Sequence, residues 1–113
     1  MSRTYIPDFG HVVWLSLDPR TGHEQAGRRP ALVLTAAAYN ARSGLMVCCP
    51  LTSQIKGYPF EVIVEFNGTR SAVLTDHLRS VDWKARKAKA AGEIDSDALV
   101  HVQGKVAALL NLG

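Results

Sequence analysis

The segment Phe60-Glu-Val-Ile-Val-Glu-Phe-Asn-Gly68 is the clearest sign of how this chain folds. Apolar residues at its even positions from 60 to 66 face one way and Glu61 and Glu65 the other, which is typical of a strand buried on one side. Asn67-Gly68 follows at once, and this dipeptide favours the positive backbone angles of a type I′ turn. The segment therefore predicts a β-hairpin with a returning strand at residues 71–75.

Further strands are predicted on both sides of this hairpin. The runs 31–35 and 45–51 are apolar on both faces, as expected of central strands in a closed or doubly covered sheet. Pro30 opens the first of these runs. In total the pattern predicts five or more short strands, at residues 10–17, 31–35, 45–51, 60–66, 71–75 and 78–81.

Two helical segments accompany the strands. Residues 36–43 are predicted to form a short helical turn, and Asp95 or Ser96 is a candidate N-cap for a longer helix. An apolar stripe at helical spacing follows, made of Leu99, Val102, Val106, Leu109 and Leu110. The expected fold class is α+β, a small β-barrel covered by a short helix and a C-terminal helix, with residues 1–113 forming one domain.

The charge of the chain is mildly basic and unevenly distributed. With 47% hydrophobic and 20% charged residues in 113, the chain can bury a core, although a domain of this size often gains stability by pairing. The formal net charge is +3. Residues 79–89, here called the basic segment, are either a solvated loop or a surface for a phosphate backbone. They hold Arg79, Lys84, Arg86, Lys87 and Lys89 against Asp82 alone.

The two cysteines indicate no disulfide framework. Cys48 and Cys49 are adjacent within a predicted strand, where their side chains point to opposite faces and a bond between them is awkward. Residues 1–8 lack the apolar core of a signal peptide, and no run approaches the roughly 20 apolar residues of a membrane span. We therefore expect a cytoplasmic protein without a membrane partner.

The polar stretch 18–29 between the first two predicted strands is long for a connecting loop and invites a functional interpretation. RNA cleavage fits its residues, because RNA supplies its own nucleophile, the 2′-hydroxyl, and needs only a base, a cation and a proton for the leaving oxygen. Glu24 is the candidate base and Arg29 the candidate charge stabiliser. The acid stays open between water and His23, and the alternative for the whole stretch is a solvated loop.

Three blocks of sequence extend this interpretation, and together they cover nearly the whole chain in order. They are Tyr5-Ile-Pro-Asp-Phe-Gly10 with residues 14–19 and Gly22-His-Glu-Gln-Ala-Gly-Arg-Arg-Pro30; Pro50-Leu-Thr-Ser-Gln-Ile-Lys-Gly-Tyr-Pro-Phe-Glu61; and Thr75-Asp-His-Leu-Arg-Ser80 with residues 83–86. The blocks resemble those of MazF-type toxins, also called the PemK or Kid group. The resemblance implies a partly open SH3-like barrel, a symmetric homodimer with an RNA groove, and inhibition by an acidic antitoxin.

The resemblance also implies an activity and its residues. Such toxins cut single-stranded RNA without a metal or cofactor and leave 2′,3′-cyclic phosphate and 5′-hydroxyl ends. Glu24 and Arg29 match the catalytic pair of the family, and Thr52 matches a threonine that helps to hold the scissile phosphate. The positions at or beside the RNA path are Gln25, Arg28, Ser53, Lys56, Asp76, His77, Arg79 and Arg86.

Three positions depart from parts of the family. Arg28 stands where some relatives have histidine, His77 where some have glutamine, and Leu74 where one branch has an arginine proposed as the acid, so neither that mechanism nor a cleavage motif transfers. Two other functions remain open: a toxin of the same barrel fold that poisons DNA gyrase, and a catalytically silent RNA- or antitoxin-binding barrel. Trp14 and Trp83 are both candidates for base stacking; packing in the core or a dimer interface is favoured for Trp14, and both roles remain open for Trp83.

Overall fold

The computed structural model describes residues 4–16 and 27–113, which form seven strands and two helices. In chain order they are β1 (His11–Ser16), β2 (Arg28–Val33), α1 (Ala37–Ser43), β3 (Leu45–Thr52), β4 (Glu61–Phe66), β5 (Thr69–Leu74), β6 (Arg79–Asp82), β7 (Lys89–Glu93) and α2 (Ser96–Leu110). Leu17 and most of the predicted 18–29 loop, including His23, Glu24 and Gln25, lie outside the described residues.

The strands form one antiparallel sheet that curls on itself. Its order is β4-β5-β3-β2-β1-β7, and β6 pairs with the first half of β3 while β5 pairs with its end. The outer strands β4 and β7 lie close together. A Cβ atom added to Gly92 of β7 would be only 3.3 Å from the ring of Phe66 of β4. Gly92 also has a φ of 152°, which side chains rarely allow. The predicted α+β fold, a small and partly open barrel, is confirmed.

Two core clusters lie on opposite faces of the central strands. Cys49 belongs to the cluster covered by α2 through Val102, and Cys48 to the cluster that contains Trp83. This placement confirms that the neighbouring cysteines face opposite ways, and both thiols are free. Trp83 is 3% exposed and its indole Nε1 donates to the carbonyl oxygen of Asn40, so it packs in the core and is closed to base stacking.

Burial determines how the cysteine thiols titrate. Desolvation raises the pKa of Cys48 to about 11 and that of Cys49 to about 12. We expect native thiols at pH 8 to react with a disulfide reagent at least about 100-fold more slowly than those of the unfolded chain, because the thiolate is the nucleophile. Since the folded pKa values are raised, the free energy of unfolding should fall as pH rises from about 9 towards about 11. Stopped-flow thiol titration with and without denaturant checks the first expectation, and equal rates would contradict it.

The β4–β5 hairpin and the N-cap of α2 are as predicted. Asn67 and Gly68 have φ values of 50° and 75°, as a type I′ turn requires, and the side chain of Asp95 accepts a hydrogen bond from the backbone N–H of Ala98. The apolar stripe of α2 is only partly used: packing against the core ends at Val106, and the last two members, Leu109 and Leu110, are exposed. Neither described helix has the length and apolar character needed to cross a bilayer.

The start of β2 was predicted wrongly, and one strand was missed. Pro30 lies in the middle of β2 instead of opening it, which is tolerated because residues 28–30 pair only with β1, and pairing with β3 begins at Ala31. Strand β7 was not predicted at all, since Lys89-Ala-Ala-Gly-Glu93 has neither alternation nor β-branched residues. The basic segment is therefore no simple loop: it holds β6, a turn and the start of β7.

Candidate functional site

A cleft opens where the end of β3, the middle of β2 and the β4–β5 turn meet. This central cleft has a volume of about 220 Å³. Arg29 and Thr52, which the sequence assigned to catalysis, both line it, and Ser53 lies beside them. The remaining lining residues are Trp14, Pro30, Leu51, Phe66, Asn67, Thr69 and Ser71. The cleft thus combines one permanently charged cation, several hydroxyl groups and two aromatic side chains.

A second cavity, the arginine cavity, shares Arg29 and Pro30 with the central cleft. It is smaller, about 60 Å³, and is also lined by Arg79 of β6 and by Arg86. Three arginine side chains thus contribute to the lining of one small, mostly apolar space. Guanidinium groups are well suited to binding phosphate oxygens. Arg86 is held in place at the end of β1, because its Nη1 donates to the carbonyl oxygen of Ser16 at 3.0 Å and its own carbonyl accepts from the Ser16 N–H at 2.9 Å.

A third cavity, the loop cavity, shares Thr52 with the central cleft. It measures about 190 Å³ and is lined by Lys56 and His77, together with Gln54, Tyr58, Glu61 and Leu74. The Glu61 carboxylate shapes its wall by accepting the backbone N–H groups of Lys56 and of Gly57, the latter at 2.7 Å.

Asp76 joins the rim of the loop cavity through Tyr58. The phenol of Tyr58 donates to Asp76 Oδ1 at 3.4 Å, and His77 Nε2 lies 3.8 Å from the same oxygen. Desolvation, followed by the charges of Asp76 and Glu61, raises the pKa of Tyr58, so its hydroxyl stays a proton donor in neutral solution. This rim therefore holds a neutral phenol paired with a carboxylate, hydrogen-bonding groups that suit the edge of a base.

The structure brings most of the predicted site together. Seven of the predicted residues line the three connected cavities: Arg29, Thr52, Ser53, Lys56, His77, Arg79 and Arg86. Asp76 lies beside the loop cavity, next to His77 and Tyr58. Arg28 lies opposite Ser16 in the β1–β2 ladder, exposed and outside the described linings of these cavities. Glu24 and Gln25 fall outside the described residues.

Several lining residues were not predicted. The sequence placed Glu61 as a solvent-facing strand residue and Trp14 and Phe66 in packing roles, and it assigned no role to Tyr58. Only the position of Asn67 and Thr69 next to a predicted turn gave any sign that they lie near other strand ends. Within the ranges 4–16 and 27–113, no group of three or more His, Cys, Asp or Glu side chains is arranged to hold a metal ion.

Comparison with known proteins identifies the family. The profile described as the PemK-like, MazF-like toxin of type II toxin-antitoxin systems matches residues 8–110. The endoribonuclease toxin MazF of Escherichia coli K12 is 39% identical over 110 residues, covering 97% of this chain and 99% of that protein.

Solved structures from Deinococcus radiodurans resemble the chain closely. A crystal structure of MazF has a TM-score of 0.83 and 53% identity, covering 96% of this chain and 99% of that one. A crystal structure of a MazE-MazF complex has a TM-score of 0.82 and 49% identity, with 95% and 97% covered. The chain therefore belongs to the PemK-like, MazF-like family of toxins of type II toxin-antitoxin systems.

Proposed function

We propose that this toxin is a metal-independent endoribonuclease that cuts single-stranded RNA in a sequence-specific way and so stops translation and growth. The observation that carries the proposal is the central cleft, where Arg29 and Thr52 lie together between two cavities lined by cationic side chains. The names of relatives support it, since the matching E. coli proteins are endoribonucleases MazF and PemK.

The chemistry proposed is attack of the 2′-hydroxyl on the adjacent phosphorus, which releases a 5′-hydroxyl and leaves a 2′,3′-cyclic phosphate. Glu24 takes the proton of the 2′-hydroxyl, and Arg29 donates to the phosphate oxygens as negative charge gathers. As the P–O5′ bond breaks, a water molecule or His23 gives a proton to the leaving 5′-oxygen. The Thr52 hydroxyl accepts the N–H of Gln54 at 3.0 Å, so its own hydrogen is available to donate to a phosphate oxygen.

The flanking cavities are proposed to hold the rest of the strand. Arg79 and Arg86 bind the phosphate on one side of the cleaved bond, and Lys56 binds one on the other. Ser53, Asp76 and His77 offer hydrogen bonds to bases, and Gln25 and Arg28, the latter at the start of β2, are proposed to contact the strand as well. We further propose that the toxin acts in the cytoplasm as a homodimer, and that the dimer joins two such grooves.

The decisive test is incubation of the purified chain with single-stranded RNA in excess EDTA, followed by analysis of the product ends. We expect cleavage with 2′,3′-cyclic phosphate and 5′-hydroxyl termini. A Glu24→Gln variant, which keeps the shape of the side chain and removes the base, should leave the RNA intact. RNA that survives the native chain, or cleavage that depends on added metal, would sink the proposal.

We propose an acidic, MazE-like antitoxin as the protein partner. Support comes from the net charge of +3, from the three arginines around one cavity, and from the solved complexes of related toxins with MazE.

Binding of the antitoxin should be strongly salt-dependent. Its carboxylates are expected to meet Arg29, Arg79 and Arg86, so raising the ionic strength should weaken association, mainly through a slower on-rate. Surface plasmon resonance between about 50 and 500 mM salt measures this dependence, which screening over the Debye length predicts. A dissociation constant that stays flat over this range would contradict the electrostatic part of the proposal.

A further inference from the structure

Half of the central cleft takes no part in the proposed phosphate chemistry. Its wall is an aromatic pair: the rings of Trp14 and Phe66 have centroids 6.1 Å apart and an interplanar angle of 61°, an edge-to-face contact. Phe66 is 7% exposed and packs inside the barrel, whereas Trp14 is half-buried; both residues line the cleft. Two aromatic side chains therefore line the same cleft as Arg29 and Thr52.

The same cleft is also lined by polar residues whose side chains are unused in hydrogen bonding within the described part of the chain. The side chains of Ser53, Asn67 and Thr69 line the cleft, and within the described part of the chain they make no hydrogen bond. The backbone of Asn67 is held in place, because the residue lies in the type I′ turn between two paired strands, with a φ of 50°. An amide and two hydroxyls thus offer both donors and acceptors at fixed places.

We propose that this half of the cleft is a pocket for one nucleobase of the RNA strand, that of the nucleotide next to the cleaved phosphodiester. The base stacks on Trp14, and its edge bonds to the Asn67 amide and the Thr69 hydroxyl, which makes these two residues determinants of cleavage specificity. The pocket is adjacent to the cut because Arg29 and Thr52 line the same cleft.

Size and charge favour a single base over other occupants. The cleft volume of about 220 Å³ is below the roughly 300–1,000 Å³ of sites for drug-sized ligands, so it suits one planar ring system. Arg29 provides the cation for the phosphate attached to that nucleotide. This inference rests on the proposed endoribonuclease function and extends it to the choice of base.

The Asn67→Gly variant tests whether the Asn67 amide recognises the edge of the base. Glycine keeps the positive φ of the turn and removes the amide, and Asn111→Gly, at a φ of 62° on the end of α2, is a matched control for the same change. Both variants and the native chain are given a randomised single-stranded RNA pool, and the cut sites are sequenced. We expect Asn67→Gly to lower the base preference at one position beside the cut by about tenfold. Asn111→Gly should keep the native preference.

Stacking is tested separately by tryptophan fluorescence. The probe is a single-stranded oligonucleotide with the preferred sequence and a 2′-deoxy sugar at the cut, which blocks cleavage. We expect it to quench Trp14 emission to saturation, against a constant signal from Trp83, which is 3% exposed. The same oligonucleotide with an abasic site at the neighbouring position should give little quenching.

Failure of the endoribonuclease proposal and failure of the base pocket alone give different results. If the native chain leaves the RNA pool intact, the endoribonuclease proposal falls and this inference falls with it. If the native chain cuts with a defined preference that Asn67→Gly and Thr69→Val leave unchanged, only the base pocket is wrong. Quenching by an acidic antitoxin peptide, with none by the oligonucleotide, would likewise overturn it.

Discussion

Replacing Arg29 by alanine is expected to lower the rate of RNA cleavage by about 10²–10³-fold, the usual effect of removing one donor that stabilises a developing oxyanion. Arg29 is the charged residue that the central cleft and the arginine cavity share, so its side chain borders both spaces. Its side chain is exposed, and the free energy of unfolding should change by less than about 0.5 kcal/mol. Single-turnover kinetics on a defined RNA, with a denaturation curve for each variant, measures both effects.

Two further variants make this result specific. Arg70→Ala removes an exposed arginine of β5 outside the described linings of all three cavities, and it should keep nearly native activity. Arg29→Lys retains the charge and loses the forked donors, so an intermediate rate is expected. Equal cutting by Arg29→Ala and the native chain would remove the proposed role of the guanidinium. Growth arrest that persists without RNA cleavage would point to another target, such as DNA gyrase.

Local signals explain which parts of the fold were predictable. The β4–β5 hairpin depends on alternation and on Asn67-Gly68, both of which can be seen within a few residues, and its bounds came out within two residues of the prediction. Strand β7 has no such signal: Gly92 and two alanines weaken its strand propensity, and it forms because β1 offers an unpaired edge. The same reasoning applies to Leu109 and Leu110, whose helical spacing is correct although the core ends before them.

The polar stretch pointed to Arg29 and the basic segment to Arg79 and Arg86, whereas the other predicted residues of the candidate site came from the resemblance. Arg29, Thr52 and Arg86 are far apart in sequence, and their polar side chains have no periodicity that would place them together. The structure joins them because β2 lies between β1 and β3, and because the turn after β6 returns Arg86 to the end of β1. The role of Glu61 as acceptor of backbone N–H groups in the neighbouring loop could not be predicted either. In the sequence, a carboxylate on a strand is indistinguishable from a solvent-facing residue.

Asn40 is the clearest case of a residue whose importance only packing reveals. It lies in the short helix α1, where an asparagine suggests a surface position, yet it is fully buried. Its Nδ2 donates to the carbonyl oxygens of Pro7 and Thr35 at 2.8 and 2.9 Å, and its Oδ1 accepts from the Thr35 hydroxyl at 2.7 Å. One amide thus ties the N-terminal segment and the end of β2 to α1, beside the backbone carbonyl that holds Trp83.

Asn40→Ala should therefore lower the free energy of unfolding by about 3 kcal/mol, because each buried polar group left unpaired costs about 1–3 kcal/mol. That loss is a large part of the roughly 5–15 kcal/mol that stabilises a typical domain. Urea denaturation at a fixed protein concentration measures it, with Arg42→Gln on the exposed side of the same helix as the control, expected to change stability by less than about 0.5 kcal/mol.

Asn40→Asp makes the electrostatic part of this argument testable through pH. When it is ionised, the new carboxylate has no hydrogen to donate to the carbonyl oxygens of Pro7 and Thr35. When it is protonated, it can donate to one of them. Burial therefore raises the pKa of this carboxyl group. Relative to the native chain, this variant should therefore be less stable at pH 8 than at pH 5, since stability is lost as pH rises through the raised folded pKa. A stability difference that is independent of pH, together with a loss below about 1 kcal/mol for Asn40→Ala, would mean that water satisfies these groups as well as the amide does.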